Sequence, residues 1–264
     1  MKSSSSHGRL IIITGGGNGI GRATALLCAK RGDTVAILDK NGESANDAAK
    51  IALELGASGA VGLACDVSDE EQVEQSFARI HERFGAPYGL FANAGIDLGG
   101  LIHEMPLERW KLIVNTNLTG IFLTCKHGVR QMLDAKVAGS IVCTSSPAGF
   151  VAQAAGGAGA YSATKGGISS LVRCMAIDYA PFGIRINAVV PGATETGMCW
   201  NNVPIAEVEN MRAQLSREIP LGRLAQPEDQ ARMVVWLLSD EATYATGAHF
   251  VCDGGILAKA SISV

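Results

Sequence analysis

The sequence predicts one α/β domain built on a doubly wound parallel sheet of seven strands, with helices on both faces. Three features carry that prediction. Short apolar runs alternate with segments of helical period, the order that generates parallel strands and crossover helices. The runs are continuous rather than alternating, as strands buried on both faces require. Glycine-rich and polar residues then gather just after the runs, at the strand ends where such sheets bind ligands.

Leu10-Ile-Ile-Ile13 is the first such run, and Thr14-Gly-Gly-Gly-Asn-Gly-Ile-Gly21 follows it. Ile20, Ala23 and Leu27 then recur at helical spacing. Strand, glycine loop and helix in that order make a phosphate site, because glycine lets the backbone approach and the helix N-terminus favours an anion. Val35-Ala-Ile-Leu38 is the second strand and ends in Asp39, a carboxylate placed to accept hydrogen bonds from ribose hydroxyls. A helix over Ser44–Leu55 leads to strand three, Ala60–Ala64, closed by Cys65-Asp66-Val67. Ser68, Asp69 and Glu71 open the next helix as cap and first-turn acids, with Val73, Phe77, Ile80 and Phe84 on its inner face.

Gly89–Ala92 is strand four and runs into Asn93-Ala-Gly95. A long helical pattern spans about 107–133 with Asn115 and Asn117 inside it. Ser140–Thr144, Ile184–Val190 and Ala248–Cys252 are the last three strands, ending at Ser145-Ser146, Pro191-Gly192 and Asp253-Gly-Gly255. Pro227 with Glu228 and Asp229 starts a helix. Residues 193–220 read as less regular, a loop region beside the site. No linker or repeat divides the chain, so residues 9–264 are expected to form the single domain, preceded by a disordered polar tail over 1–8.

Composition narrows the function. Of 264 residues, 47% are hydrophobic and 18% charged, enough for a sizeable core. A net charge of −3 offers no footprint for nucleic acid or an anionic membrane. The uncharged stretch from Val137 to Thr164 is long enough to span a membrane, but its glycines, Pro147 and hydroxyl residues read as strand, loop and helix start. Seven scattered cysteines without a Cys-x-x-Cys pair point to reduced thiols in the cytoplasm, with no metal site.

Tyr161-Ser-Ala-Thr-Lys165 places a phenol and an ammonium one helical turn apart. A nearby ammonium is expected to lower the phenol's pKa and make Tyr161 usable as an acid or base.

In order along the chain, Thr14-Gly15-x-x-x-Gly19-x-Gly21, Asp66, Asn93-Ala94-Gly95, Asn117, Ser146, Tyr161-x-x-x-Lys165, Pro191-Gly192 and Asp253-Gly-Gly255 resemble the motifs of the classical short-chain dehydrogenase/reductases. The resemblance spans Leu10 to about Ile256 and implies a Rossmann-type fold. It implies Asn117, Ser146, Tyr161 and Lys165 as catalytic residues. The implied cofactor set is Gly15, Asn18, Gly19, Ile20, Gly21, Asp39, Asp66, Val67, Asn93, Ala94, Gly95, Tyr161, Lys165, Pro191, Gly192, Thr194 and Thr196. Two departures stand out. Ser146 precedes Tyr161 by fifteen residues where the family commonly has thirteen, with Ser145 as its rival. Thr194 replaces the usual Ile or Val.

The resulting expectation is an NAD-dependent dehydrogenase that interconverts a secondary alcohol and its ketone. Met198, Trp200 and Val203, with Phe150, Val151 and Gln153, are expected to supply a partly apolar substrate pocket. A 3-oxoacyl-carrier-protein reductase is an alternative, opposed by Asp39 and by Phe182 where such enzymes often carry Arg. A non-catalytic NAD-binding regulatory protein is a second alternative, opposed by the intact tyrosine and lysine. The expected partner is a small molecule, with neither nucleic acid nor membrane. A homotetramer is expected from the apolar helices over 107–133 and 162–180, which pair across a two-fold axis in the family.

Overall fold

The computed structural model describes residues 8–154, 156–201 and 203–259. The predicted tail lies outside these residues except for Gly8, whose amide donates to the Gly32 carbonyl at 3.0 Å. Seven parallel strands form one sheet in the order β3-β2-β1-β4-β5-β6-β7. They are β1 (Leu10–Thr14), β2 (Thr34–Asp39), β3 (Gly59–Ala64), β4 (Gly89–Ala92), β5 (Gly139–Thr144), β6 (Ile184–Pro191) and β7 (His249–Cys252). Each lies within two residues of its predicted run. The order reverses between β1 and β4, the switch point where open sheets leave a crevice at their carboxyl edge.

The pleat divides the core. Leu10 and Ile12 face one layer, and Ile11 and Ile13 face the other. On the Ile12 side pack α3 (Glu70–Phe84), α5 (Gly120–Asp134) and α6 (Gly159–Tyr179). On the Ile13 side pack α1 (Gly19–Lys30), α2 (Gly42–Glu54) and α9 (Pro227–Leu238). The long pattern over 107–133 is α4 (Leu107–Val114) joined to α5 by one π-helical turn, Asn115–Thr119. The region after β6 is more ordered than predicted. It holds the short α7 (Gly197–Trp200) and the eleven-residue α8 (Val208–Glu218). No residue of α8 is fully buried, and its narrow apolar stripe, Val208, Met211 and Leu215, is only half-buried.

Candidate active site

The glycine loop is shaped for a close approach. Gly15 has φ +62°, and a Cβ there would lie 2.9 Å from the Ala94 Cα. A Cβ on Gly21 would lie 2.2 Å from the Gly15 carbonyl oxygen, so neither position tolerates a side chain. Asn93 ties the neighbouring strand ends together. Its side-chain amide donates to the carbonyls of Thr14 and Gly15 at 3.2 Å, and its Oδ1 accepts from the Thr144 hydroxyl at 3.1 Å. The amides of Asn93 and Ala94 donate to Thr14 Oγ1.

Beyond the loop, α1 begins without a side-chain cap from the exposed Asn18 and without an acid in its first turn. Its leading amides therefore keep their affinity for an anion. Thr196 closes the far side, its Cγ2 being 3.0 Å from where a Gly19 Cβ would stand. These features fit a dinucleotide pyrophosphate. Ile20 is half-buried against the core on the Ile13 side.

Asp39 lies beside the loop, accepting from the Gly17 amide at 3.0 Å and the Asn41 amide at 2.9 Å. Asp66 pairs with Lys40 at 2.7 Å and accepts from the Ser68 hydroxyl at 2.6 Å. Burial opposes its ionisation, but Lys40 and Ser68 outweigh burial and hold the carboxyl below its usual range. Val67 turns its side chain into the contact with Gly120. Gly192 packs on Asp253, where a Cβ would come within 2.6 Å of the Asp253 Cα. Thr194 turns its hydroxyl inward, to the Gly192 carbonyl at 2.9 Å and Gln230 at 3.4 Å.

At the end of β5 the two serines separate. Ser145 is buried against α6, with its Oγ 2.9 Å from Ser169 Oγ and 3.2 Å from the Lys165 carbonyl. Ser146 is the one beside the Tyr161 phenol, whose pKa it pulls down, and its Oγ accepts from the Ala148 amide at 3.2 Å. The turn that follows presses on α6 at Gly149, where a Cβ would sit 2.8 Å from the Lys165 carbonyl carbon. Ser146 and Tyr161 therefore lie together although fifteen residues separate them in the chain.

Lys165 is buried, with its Nζ 5.3 Å from the centre of the Tyr161 ring and 2.8 Å from the Thr144 carbonyl. Burial lowers its pKa to about 8, against upward contributions from Cys143 and Asp97. The predicted lowering of the phenol is not what this arrangement produces. Burial pushes Tyr161 up to about 12, with Ser146 pulling it down and Asp97 adding to the rise.

Asn117 is fully buried in the π-helical turn. Its Oδ1 accepts from the Ile96 amide at 2.7 Å, and its Nδ2 donates to the Ile96 carbonyl at 2.8 Å and to Thr164 at 3.4 Å. It thus joins the loop after β4 to the residue preceding Lys165. Asn115 is exposed.

The sequence and the fold are matched by known proteins. A family model described as enoyl-(acyl carrier protein) reductase matches residues 15–257. The 2,5-dichloro-2,5-cyclohexadiene-1,4-diol dehydrogenase of Sphingobium indicum is 39% identical, covering 95% of this chain and 98% of that relative. This chain belongs to the classical short-chain dehydrogenase/reductases. Cis-4-hydroxycyclohexanecarboxylate dehydrogenase of Sinomonas cyclohexanicum is also 39% identical, over 95% and 97% of the two chains. A solved short-chain dehydrogenase/reductase from Mycobacterium marinum superposes with a TM-score of 0.90 at 30% identity, over 96% of this chain and 97% of that one. As a member of this family, the chain is an oxidoreductase of alcohols and ketones that uses a nicotinamide cofactor.

The expected pocket residues are not all free to line a pocket. Phe150 packs edge-on against His249, with ring centres 5.5 Å apart. Trp200 donates from Nε1 to Glu195 at 3.1 Å and lies under Arg212, which also pairs with Glu195 at 2.7 Å and with Glu209. This cluster, invisible in the sequence, ties α7 and α8 to the loop after β6. Asp97 was also missed. Its signal was there: it is the one charged residue between Gly89 and Ile102.

Proposed function

We propose that the protein is an NAD-dependent dehydrogenase of small cyclic secondary alcohols, working reversibly on the corresponding ketones. The observation that carries this reading is the grouping of Tyr161 with Lys165, whose Nζ lies 5.3 Å from the centre of the phenol ring, and with Ser146. The chemistry a bound nicotinamide supplies is hydride acceptance or donation at the carbinol carbon. Ser146 holds the substrate oxygen beside the Tyr161 hydroxyl, and Tyr161 takes the proton in oxidation and returns it in reduction. The ammonium of Lys165 stabilises the phenolate. Asn117 positions the Ile96 loop against α6. Gly15, Asn18, Gly19, Ile20 and Gly21, with Asn93, Ala94, Gly95, Pro191, Gly192 and Thr196, form the dinucleotide cradle. Asp66 and the Val67 backbone flank its adenine end. Residues 193–220 serve as the substrate loop.

Exposed Leu98, Leu101, Ile102, Val151 and Met198 support an apolar pocket rim, in keeping with the ring alcohols named for the two relatives. Seven free cysteines support a reducing, cytoplasmic setting. Among the described residues no helix is long and apolar enough to cross a membrane. Exposed Leu107, Leu112, Phe122 and Ile177 on α4, α5 and α6 support a homotetramer, and a monomer mass by light scattering would remove that part of the proposal.

Asp39 supports NAD over NADP. A 2′-phosphate beside its carboxylate meets like charge, about 4 kcal/mol per unit pair at ~4 Å in a partly screened site and about 1 in water. The nearby cations are committed elsewhere, Lys40 to Asp66 and Arg22 to Asp47 at 2.8 Å. The test follows NADH and NADPH formation by absorbance across a series of ring alcohols. NAD is expected to be preferred by at least ~100-fold, and Asp39→Ala to narrow the preference. Equal use of both cofactors by the wild type would place Asp39 wrongly.

The family model's description favours a second reading, reduction of a carrier-linked acyl substrate. Phe182 is exposed where that reading calls for a basic residue. Turnover of a carrier-linked ketone in preference to every ring ketone would establish it.

A further inference from the structure

Facing Tyr161 and Lys165, the chain from Ile96 to Ile102 crosses from Asn117 to the first turn of α6. One end is clamped by both hydrogen bonds between Asn117 and the Ile96 backbone, at 2.7 and 2.8 Å. The other end is packed: a Cβ on Gly159 would lie 2.8 Å from Ile102 Cδ1, two residues ahead of Tyr161. On the near side, a Cβ on Gly95 would lie 3.8 Å from Lys165 Nζ. Asp97 sits between these fixed points, half-buried, with Oδ1 accepting from the Gly99 amide at 3.1 Å.

Charged residues nearby are few: Lys165 lies beside Gly95, and Arg109 beside Gly100. Asp97 is the sole charged residue in the sequence between Gly89 and Ile102, and the stretch from Val137 to Thr164 has none. Its neighbours Leu98, Leu101 and Ile102 present apolar surface. The negative charge reaches the reacting groups, since it raises the pKa of both Tyr161 and Lys165. It therefore opposes phenolate formation directly while it helps to keep Lys165 charged. An ionised carboxylate only accepts hydrogen bonds. It favours a substrate hydroxyl and disfavours a substrate anion, and a site built for a hydroxyl rejects the analogue that lacks it.

We infer that Asp97 is a specificity residue selecting ring substrates with a second hydroxyl over mono-alcohols, and excluding ring carboxylates. This rests on the dehydrogenase reading given above. The full-length wild type, Asp97→Ala and Asp97→Asn are compared with NAD. The substrates are cyclohexanol, the cyclohexane-1,2- and 1,4-diols, and 4-hydroxycyclohexanecarboxylate.

The wild type should prefer a diol to cyclohexanol by ~10-fold or more in kcat/KM, the scale of a hydrogen bond to a charged group. The carboxylate should be its poorest substrate. Asp97→Ala should collapse the diol-to-cyclohexanol ratio and raise the carboxylate-to-cyclohexanol ratio. Asp97→Asn keeps an acceptor oxygen, so it should hold part of the diol preference while losing the exclusion of the carboxylate. This second variant carries the test if the alanine protein does not fold. Substrate ratios unchanged in the variants overturn the inference. A wild type that oxidises cyclohexanol and the diols equally overturns it alone, leaving the dehydrogenase reading intact. A wild type that oxidises none of these alcohols with either cofactor removes the dehydrogenase reading, and the role of Asp97 with it.

Discussion

The two edges of the sheet use similar residues to opposite ends. At the amino edge, Arg9 pairs with both oxygens of Asp240 at 2.6 and 3.0 Å and stacks on Tyr88, 3.9 Å from the ring centre. The Tyr88 hydroxyl donates to Asp240 at 2.8 Å, and Arg185 donates to the carbonyls of Leu237, Ser239 and Ala245. Arg9 holds the Asp240 carboxyl below its usual range. At the carboxyl edge, Lys165 has a neutral carbonyl as its hydrogen-bond partner, and Tyr161 lies beside a serine hydroxyl. Both tyrosines have raised pKa values, each chiefly through burial. Tyr88, however, gives its proton to a carboxylate and is locked as a donor. Tyr161 faces a hydroxyl that can donate or accept, so its proton can move. One edge satisfies its charges and gains stability; the other leaves them displaced and gains reactivity.

The largest test of this comparison removes one hydroxyl at each edge. Tyr161→Phe should lower turnover at least ~100-fold while cofactor binding and melting temperature stay close to wild type. Tyr88→Phe should leave turnover alone and reduce unfolding free energy by about 1 kcal/mol, the scale of one hydrogen bond. Steady-state kinetics and urea unfolding on both variants read the result. Near-normal turnover in Tyr161→Phe would remove the proposed proton path.

The contrast also marks what the sequence could convey. Strands such as Leu10–Thr14 were legible because burial on both faces demands an unbroken apolar run. The glycine loop was legible because its glycines answer backbone contacts no side chain survives, as at Gly21. Four features depended on packing that no local pattern encodes. The π-helical turn at Asn117 interrupts a helical period that continues on either side of it. Ser145 and Ser146 are equivalent in sequence until strand register turns one into α6 and the other toward the phenol. The Trp200–Glu195–Arg212 cluster joins residues of different elements. The pKa of Tyr161 was misjudged in sign because spacing reveals a neighbouring lysine but not the weight of burial.

A smaller effect tests whether Lys165 is held at the expense of stability. Its pKa in the folded protein, about 8, lies below the ordinary 10.5 because burial disfavours the charged form. Between those values the unfolded chain binds more protons than the folded one, so wild-type stability rises with pH across that window. Below pH 8 the whole penalty stands, on the order of 3 kcal/mol. Lys165→Met keeps most of the side-chain volume and removes the charge, but gives up the bond to the Thr144 carbonyl, about 1 kcal/mol. The variant should therefore be inactive yet more stable than wild type at pH 7, by roughly 2 kcal/mol. Its advantage should shrink through the window and vanish or reverse above pH 10.5, where wild-type Lys165 is neutral in both states. Urea unfolding of both proteins at neutral and alkaline pH, at one protein concentration, measures this difference. An advantage that does not change with pH would mean that Lys165 carries no penalty for its charge. The carboxyl edge would then owe its reactivity to positioning alone.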